Sequence, residues 1–186
     1  MRAAMKRLLG GIDPGDLRER SREVARRLAL TEAWRRADTV LCFLSMPHEL
    51  DTSDVILAAR ERGAIVAVPC IEGDDIRFVV MPPDSGALHR DAWGIPEPDP
   101  LWRPLDIAAA AHVLVAAPGL AFDRQGYRLG RGKGYYDRFL VGARRAAHSL
   151  TALGICLSEQ LVDDVPHGER DQRLDGIVCE KETILV

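Results

Sequence analysis

The sequence is short of most features that would assign a function directly, and each absence removes a class. Its four cysteines (42, 70, 156 and 179) form no CxxC pair and no zinc-ligand spacing. Three of them lie inside or at the end of apolar runs, where a reduced cysteine acts as a small hydrophobe, so a reducing cytoplasm is the expected compartment. No apolar run approaches transmembrane length, and residues 1–12 lack the apolar core of a signal peptide. The formal net charge of −3 gives no global drive toward nucleic acid or an anionic membrane. There is no internal repeat and no low-complexity tract. The histidines (48, 89, 112, 148 and 167) stand in dissimilar contexts, none at nucleophile–base spacing, and are expected to be structural. What remains is 186 residues with 47% hydrophobic content, enough to bury one core, so 1–186 is expected to form one domain.

Strand and helix signals alternate. Met1–Leu9 is a basic amphipathic segment carrying Arg2, Lys6 and Arg7. Asp13-Pro14-Gly15-Asp16 reads as a helix start, with Leu17, Val24 and Leu28 on its core face. Thr39–Met46 is an apolar strand buried on both faces, and Pro47–Thr52 is its exit loop. A helix over Ser53–Arg62, capped by Thr52 or Ser53 and closed by Gly63, leads to a second strand at Ala64–Pro69. Ile76–Met81 predicts another strand. Residues 91–104 hold too much proline and glycine for regular structure, and form a lid or a packed connector. Ala108–Ala111 ends a short helix, and His112–Ala117 is the central strand. After a helix over Tyr135–Arg145 come strands at Ser149–Cys156, Ile177–Cys179 and Ile184–Val186. A helical turn at Ser158–Asp163 and a polar loop at Val165–Asp175 lie between them. The expected class is α/β in three layers with a mostly parallel sheet, whose ligands would lie beyond the carboxyl ends of the strands.

The most informative stretch is Pro118–Asp137. Gly126, Gly130, Gly132 and Gly134 alternate with Arg128, Arg131 and Lys133, between a buried strand and a helix N-terminus. Glycines let backbone N–H groups turn toward an anion, the cations neutralise it, and the helix dipole adds to both. The loop is not a Walker A motif, because Tyr127 stands at the first glycine and Gly134 at the Ser/Thr. It also lacks the spacing of a dinucleotide fingerprint. The alternative is a surface loop whose charges are merely solvated. Phosphates on such a cradle ordinarily bring a hard cation held by carboxylates and water. Asp137 follows the loop directly, and Asp175 is placed to face it from the end of the sheet. The residues thus read as an ATP-type phosphate site with magnesium.

Gly119-x-x-Phe122-Asp123-x-x-Gly126-x-Arg128-Leu-Gly-Arg-Gly-Lys-Gly-Tyr-Tyr-Asp137 resembles the signature of the 5-formyltetrahydrofolate cyclo-ligases. Phe43-Leu-Ser-Met46-x-x-Glu49, Trp93-Gly-Ile-Pro-Glu-Pro98, Glu159-Gln160-x-Val-Asp163-x-Val-Pro166 and Asp171-x-x-Leu-Asp175 are similar to further segments of that family, in the same order. The resemblance implies a NagB/RpiA/CoA-transferase-like fold and an ATP- and Mg2+-dependent ligase. In such a ligase the formyl oxygen of 5-formyltetrahydrofolate is phosphorylated and N10 attacks the activated carbon. It implies ATP contacts from Arg2, Lys6, Arg128, Leu129, Gly130, Arg131, Gly132, Lys133, Gly134 and Tyr135. Folate contacts would come from Leu44, Met46, Glu49, Trp93 and Tyr136. Lys133, Arg131 and Tyr136 would be catalytic, and Asp137 and Asp175 would hold magnesium. It further implies a small-molecule enzyme without nucleic-acid or membrane partners, a monomer or weak dimer. Two departures stand out. Arg2 fits the arginine of an N-terminal Lys-x-x-Leu-Arg motif, so its lysine would precede residue 1, be replaced by Lys6 or Arg7, or be missing with weaker ATP binding. Arg170 departs from an acid-His-Asp triplet that is frequent there, a neutral difference. The competing reading is a non-catalytic nucleotide- or RNA-binding module, since seven Arg/Lys between Arg124 and Arg145 are interleaved with Tyr127, Tyr135 and Tyr136.

Overall fold

The computed structural model describes residues 1–83, 89–90 and 96–186. It opens with helices α1 (Arg2–Gly10), α2 (Pro14–Ala29) and α3 (Glu32–Arg36). The start of α2 is fixed by Asp13, whose Oδ1 accepts the amides of Gly15 and Asp16 at 2.8 and 3.1 Å, with Pro14 in the first turn. Val24 and Leu28 are fully buried, as their spacing requires, and Ser21, one turn before Val24, returns its hydroxyl to the Leu17 carbonyl.

Then follow β1 (Thr39–Cys42), α4 (Ser53–Glu61), β2 (Ile65–Glu72), β3 (Asp75–Val80) and the two-residue strands β4 (His89–Arg90) and β5 (Pro96–Glu97). Next come β6 (Val113–Ala117), β7 (Ala121–Asp123), β8 (Arg128–Leu129), α5 (Tyr135–Ala146), β9 (Leu150–Ile155), β10 (Leu161–Val162), β11 (Gly176–Val178) and β12 (Thr183–Leu185). The main sheet has the order β12-β11-β9-β6-β1-β2-β3. Its inner strands run parallel from β11 to β2, and only the edge strands β3 and β12 are antiparallel. A small second sheet, β10-β7-β8, stands beside it.

The period-2 alternation of side chains builds the layers. Val40, Cys42, Leu114 and Ala116 point into a cluster with Val24, Leu28, Val55 and Ala59 of α2 and α4. Leu41, Val113, Val115 and Ala117 point the other way, into a cluster with Leu140 of α5. Burial pushes the Cys42 thiol up to about 12, so this cysteine is an inert part of the packing. Residues 103–105 bond to β3 through Val80 N to the Arg103 carbonyl and Leu105 N to the Phe78 carbonyl, which covers that sheet edge.

One sequence expectation is corrected here. The first strand stops at Cys42 rather than Met46, because the Thr52 hydroxyl takes the Phe43 carbonyl at 2.8 Å. Thr52 is the N-cap residue of α4, one of the two expected, but its hydroxyl is engaged by Phe43, and Asp51 accepts the Ser53 amide at 2.9 Å.

The chain passes from β1 to β2 on one side, then returns to β6 on the other side of β1. The strand order therefore reverses between β1 and β6, and in such sheets the carboxyl ends of the strands at that reversal are where a ligand crevice forms. The loops after β1 and after β6 are those with the strongest sequence signals.

Candidate active site

The loop after β1 is a turn held from behind. Glu49 N bonds to the Met46 carbonyl at 3.0 Å, and Pro47 and His48 are its central residues. His48 has φ 64°, the left-handed value that a type II turn requires at this position and that glycine usually supplies. The Ser45 hydroxyl donates to the Leu50 carbonyl at 2.7 Å, lies 2.9 Å from the Thr52 hydroxyl and accepts the Thr52 amide. The Ser21 hydroxyl of α2 accepts the Asp51 amide at 2.9 Å. This network fixes the turn and turns Glu49 into the crevice, where one carboxylate oxygen accepts the Met46 amide at 3.1 Å.

The loop after β6 begins with a buried staple. Gln160 donates to the Gly119 carbonyl at 2.7 Å and accepts the Leu157 amide at 2.8 Å. β7 and β8 then form a hairpin tied by Asp123, which is fully buried. Its carboxylate accepts the amides of Gln125 (2.9 Å), Tyr127 (3.0 Å) and, from the far segment, Val165 (3.0 Å). From this hairpin Arg128 reaches Asp137 at 2.9 and 3.4 Å, and the Gln172 amide donates to the same carboxylate at 3.0 Å. Gly134 sits at the N-cap of α5 with φ 68°, and a Cβ there would stand 2.9 Å from the Arg138 guanidinium. The left-handed φ favours glycine where the loop passes into the helix, whose first-turn amides and dipole face the same side.

The two loops meet. Arg131 donates Nε and Nη2 to Oε1 of Glu49 at 3.1 and 2.5 Å. Arg2 at the start of α1 donates Nε to the Gly130 carbonyl at 2.9 Å, and Lys6 follows one helical turn later on the same face. Lys133 is exposed and makes no ion pair among the described residues. Tyr136 lies below, with its ring 5.7 Å from the Arg128 guanidinium and edge-on to Phe78 at 6.3 Å. Its hydroxyl is buried without a partner among the described residues, and burial raises its pKa far above the ordinary tyrosine value. Such a phenol stays neutral and is a donor in search of an acceptor.

The structure thus gathers Arg2, Gly130, Arg131, Gly132, Lys133, Gly134 and Tyr135 of the expected ATP set around one loop, with Leu44, Met46, Glu49 and Tyr136 opposite or beneath. Arg128 and Leu129 belong to a different layer. The Arg128 side chain is only 3% exposed and bound to Asp137, and Leu129 is buried with its carbonyl accepting the Leu120 amide. Trp93 lies outside the described residues. Of the two acids expected to hold magnesium, Asp137 is bound by Arg128 and by the Gln172 amide, and Asp175, three residues beyond Gln172, is bound by Arg144 and by the Ala152 amide at 2.7 Å. Each carboxylate is thus ion-paired in this structure. No group of three or more His, Cys, Asp or Glu among the described residues forms a metal cage. Sequence reasoning gave no site role to Ser45 and Gln172, read Thr52 only as a helix cap, and met Asp123 and Gln160 only inside the family-like segments; all five build the site from behind. For Ser45, a polar residue inside an apolar run was the one available signal.

Comparison with known proteins places this geometry. Residues 1–180 match the model of the 5-formyltetrahydrofolate cyclo-ligase family. The chain is 32% identical to a probable 5-formyltetrahydrofolate cyclo-ligase of Caenorhabditis elegans, over 100% of this chain and 93% of the relative. It is 30% identical to the 5-formyltetrahydrofolate cyclo-ligase of Escherichia coli, over 90% and 91%. Among solved structures it resembles a 5,10-methenyltetrahydrofolate synthetase of Aquifex aeolicus with a TM-score of 0.78 at 24% identity, covering 99% of this chain and 90% of the other. A synthetase of Mycoplasma pneumoniae gives 0.72 at 18%, covering 97% and 96%.

Proposed function

Because the chain belongs to the 5-formyltetrahydrofolate cyclo-ligase family of enzymes, we propose that its β1–β6 crevice converts 5-formyltetrahydrofolate to 5,10-methenyltetrahydrofolate at the expense of ATP. The observation that carries this reading is the meeting of the Glu49 turn with the basic glycine loop across the point where strand order reverses. A carboxylate there suits the two adjacent N–H donors of a pterin, and the loop suits a polyphosphate.

The γ-phosphoryl group of ATP passes to the formyl oxygen, leaving ADP and an iminium phosphate. The N10 lone pair then attacks the formyl carbon, forming the bridging C–N bond that closes the ring; N10 gives up its proton and the C–O bond breaks, so that phosphate leaves carrying the proton. Positioning and charge stabilisation dominate such a transfer. Lys133, Arg131, Arg2 and Lys6 supply cations, and the first-turn amides of α5 supply donors. Tyr136 offers its neutral hydroxyl to the substrate rather than acting as a base. Arg128 acts indirectly, as a strut that sets the helix start through Asp137. Magnesium enters this reading with the nucleotide, as Mg–ATP. Of the seven Arg/Lys between Arg124 and Arg145, five are ion-paired to acids. That favours a local anion site over a stripe for nucleic acid.

The test is absorbance in the methenyltetrahydrofolate band. We expect growth only when protein, 5-formyltetrahydrofolate, ATP and magnesium are all present. A flat trace with all of them, for this chain and for an N-terminally extended one, would overturn the reading.

A further inference from the structure

Glu49 and Arg131 are each assigned to a different ligand, yet the structure joins them. Arg131 gives an Nε and an Nη2 hydrogen to the single oxygen Oε1, and Oε2 accepts the Met46 amide. A flat heterocycle with two adjacent N–H donors needs the outward lone pairs of both carboxylate oxygens, and the guanidinium sits on one of them. That guanidinium also belongs to the loop built for phosphate. A polyphosphate offers it several charged oxygens against one carboxylate oxygen. The two ligands therefore compete for opposite halves of one ion pair.

Its construction suits a contact that opens. The Glu49 side chain is 16% exposed and fixed by its turn, whereas Arg131 is 42% exposed and flanked by glycines. Gly132 has φ 106° and only the tip of Arg2 within 4.0 Å of where a Cβ would stand, so no packed side chain crowds the backbone on that side of Arg131. The neighbouring Arg128–Asp137 pair is the contrast, with its guanidinium sealed in and its carboxylate also tied to Gln172.

We propose that the Glu49–Arg131 ion pair couples the two subsites: nucleotide phosphate draws Arg131 away, Glu49 is released to the pterin edge, and each ligand tightens the other. This rests on the functional reading above. Coupling is reciprocal by linkage, and for a half-exposed pair the expected factor is at the low end of the usual range, about five- to tenfold.

The experiment is calorimetric titration of 5-formyltetrahydrofolate with and without saturating magnesium and a non-hydrolysable ATP analogue, on the wild type, Arg131→Gln and Lys133→Gln. We expect the wild-type folate Kd to tighten about five- to tenfold with the analogue. Arg131→Gln should bind folate without nucleotide about as tightly as the wild type does with it, and should gain less than about twofold from the analogue. Lys133→Gln removes a loop cation but keeps the ion pair, so it should need more nucleotide yet retain the coupling. Equal wild-type affinities in a chain that turns over substrate would overturn the coupling alone. So would full coupling in Arg131→Gln, weaker folate binding by that variant in both conditions, or equal loss of coupling in Lys133→Gln. A wild type that binds no folate in either condition would overturn the functional reading with it.

Discussion

Arg128 and Lys133 are five positions apart in one glycine-rich loop and carry the same formal charge, but their surroundings assign them different work. Lys133 is exposed and uncommitted among the described residues, so its charge is available to a transferring phosphoryl group. Lys133→Ala should lower kcat by about 100- to 1000-fold, the usual loss for one stabilising donor, with an unchanged melting temperature. Turnover near wild type would remove Lys133 from the chemistry. Arg128 is sealed against Asp137, and Arg128→Met strands a carboxylate that is 15% exposed. That variant should lose about 3 kcal/mol of stability in urea unfolding. A stable Arg128→Met protein with poor ATP binding would show that Arg128 is a ligand contact after all. Glu49→Ala should raise the folate KM more than the ATP KM in steady-state assays, and the reverse order would take Glu49 out of the pterin subsite.

At the scale of elements, the hairpin of β7 and β8 decides where the loop starts, and Asp123 decides the hairpin. Three backbone amides converge on its buried carboxylate, one of them from Val165 more than forty residues away. Asp123→Asn turns an N–H toward one of those donors, and should cost about 2 kcal/mol or more, read as a lower urea midpoint at unchanged slope. A midpoint like the wild type would mean that the hairpin is held by β-pairing alone. This element also marks the limit of what the sequence discloses. The apolar runs at 39–42, 65–68, 113–117 and 150–155 were legible as strands because both sheet faces are covered, and the Asp13-Pro14 start of α2 is local chemistry. β7, β8 and β10 have two or three residues each and are held by a side chain whose partner is remote, so no window of sequence contains their cause. The site divides in the same way. Glycines and cations announced the loop, but the partner of each cation is a tertiary fact. That is why the ion pairs of Arg128 with Asp137 and of Arg144 with Asp175 could not be read from the sequence.

Across the whole molecule, α2 is fastened to the far side of the same carboxyl-end surface by one arginine. Arg20 bonds to Glu159 through both terminal nitrogens, one of them at 2.8 Å, and to Glu180 at 2.6 Å, with Asp16 at 3.4 Å and Arg27 on the Glu180 carbonyl. Ser158 adds its amide and hydroxyl to Glu180 at 2.9 and 2.7 Å. The Arg20 hydrogen bond holds the Glu159 carboxyl below the usual glutamate value. Burial alone would raise Glu180, but the hydrogen bonds from Ser158 and Arg20 together outweigh it, and it too is lowered. Folded values below unfolded ones mean that the unfolded chain takes up protons first. The stabilisation is therefore fully present above the unfolded glutamate pKa, about 4.3, and is lost as pH falls through the lowered folded values. Arg20→Met removes the cation that both acids use. Its melting temperature should lie well below wild type at pH 7, where two carboxylates are left facing each other. The gap should narrow as pH drops below about 4.3, where protonation relieves them. Thermal melts of both proteins from pH 7 to pH 3 decide it: converging curves assign the acid-sensitive step to this clamp, and a constant offset assigns Arg20 to packing alone.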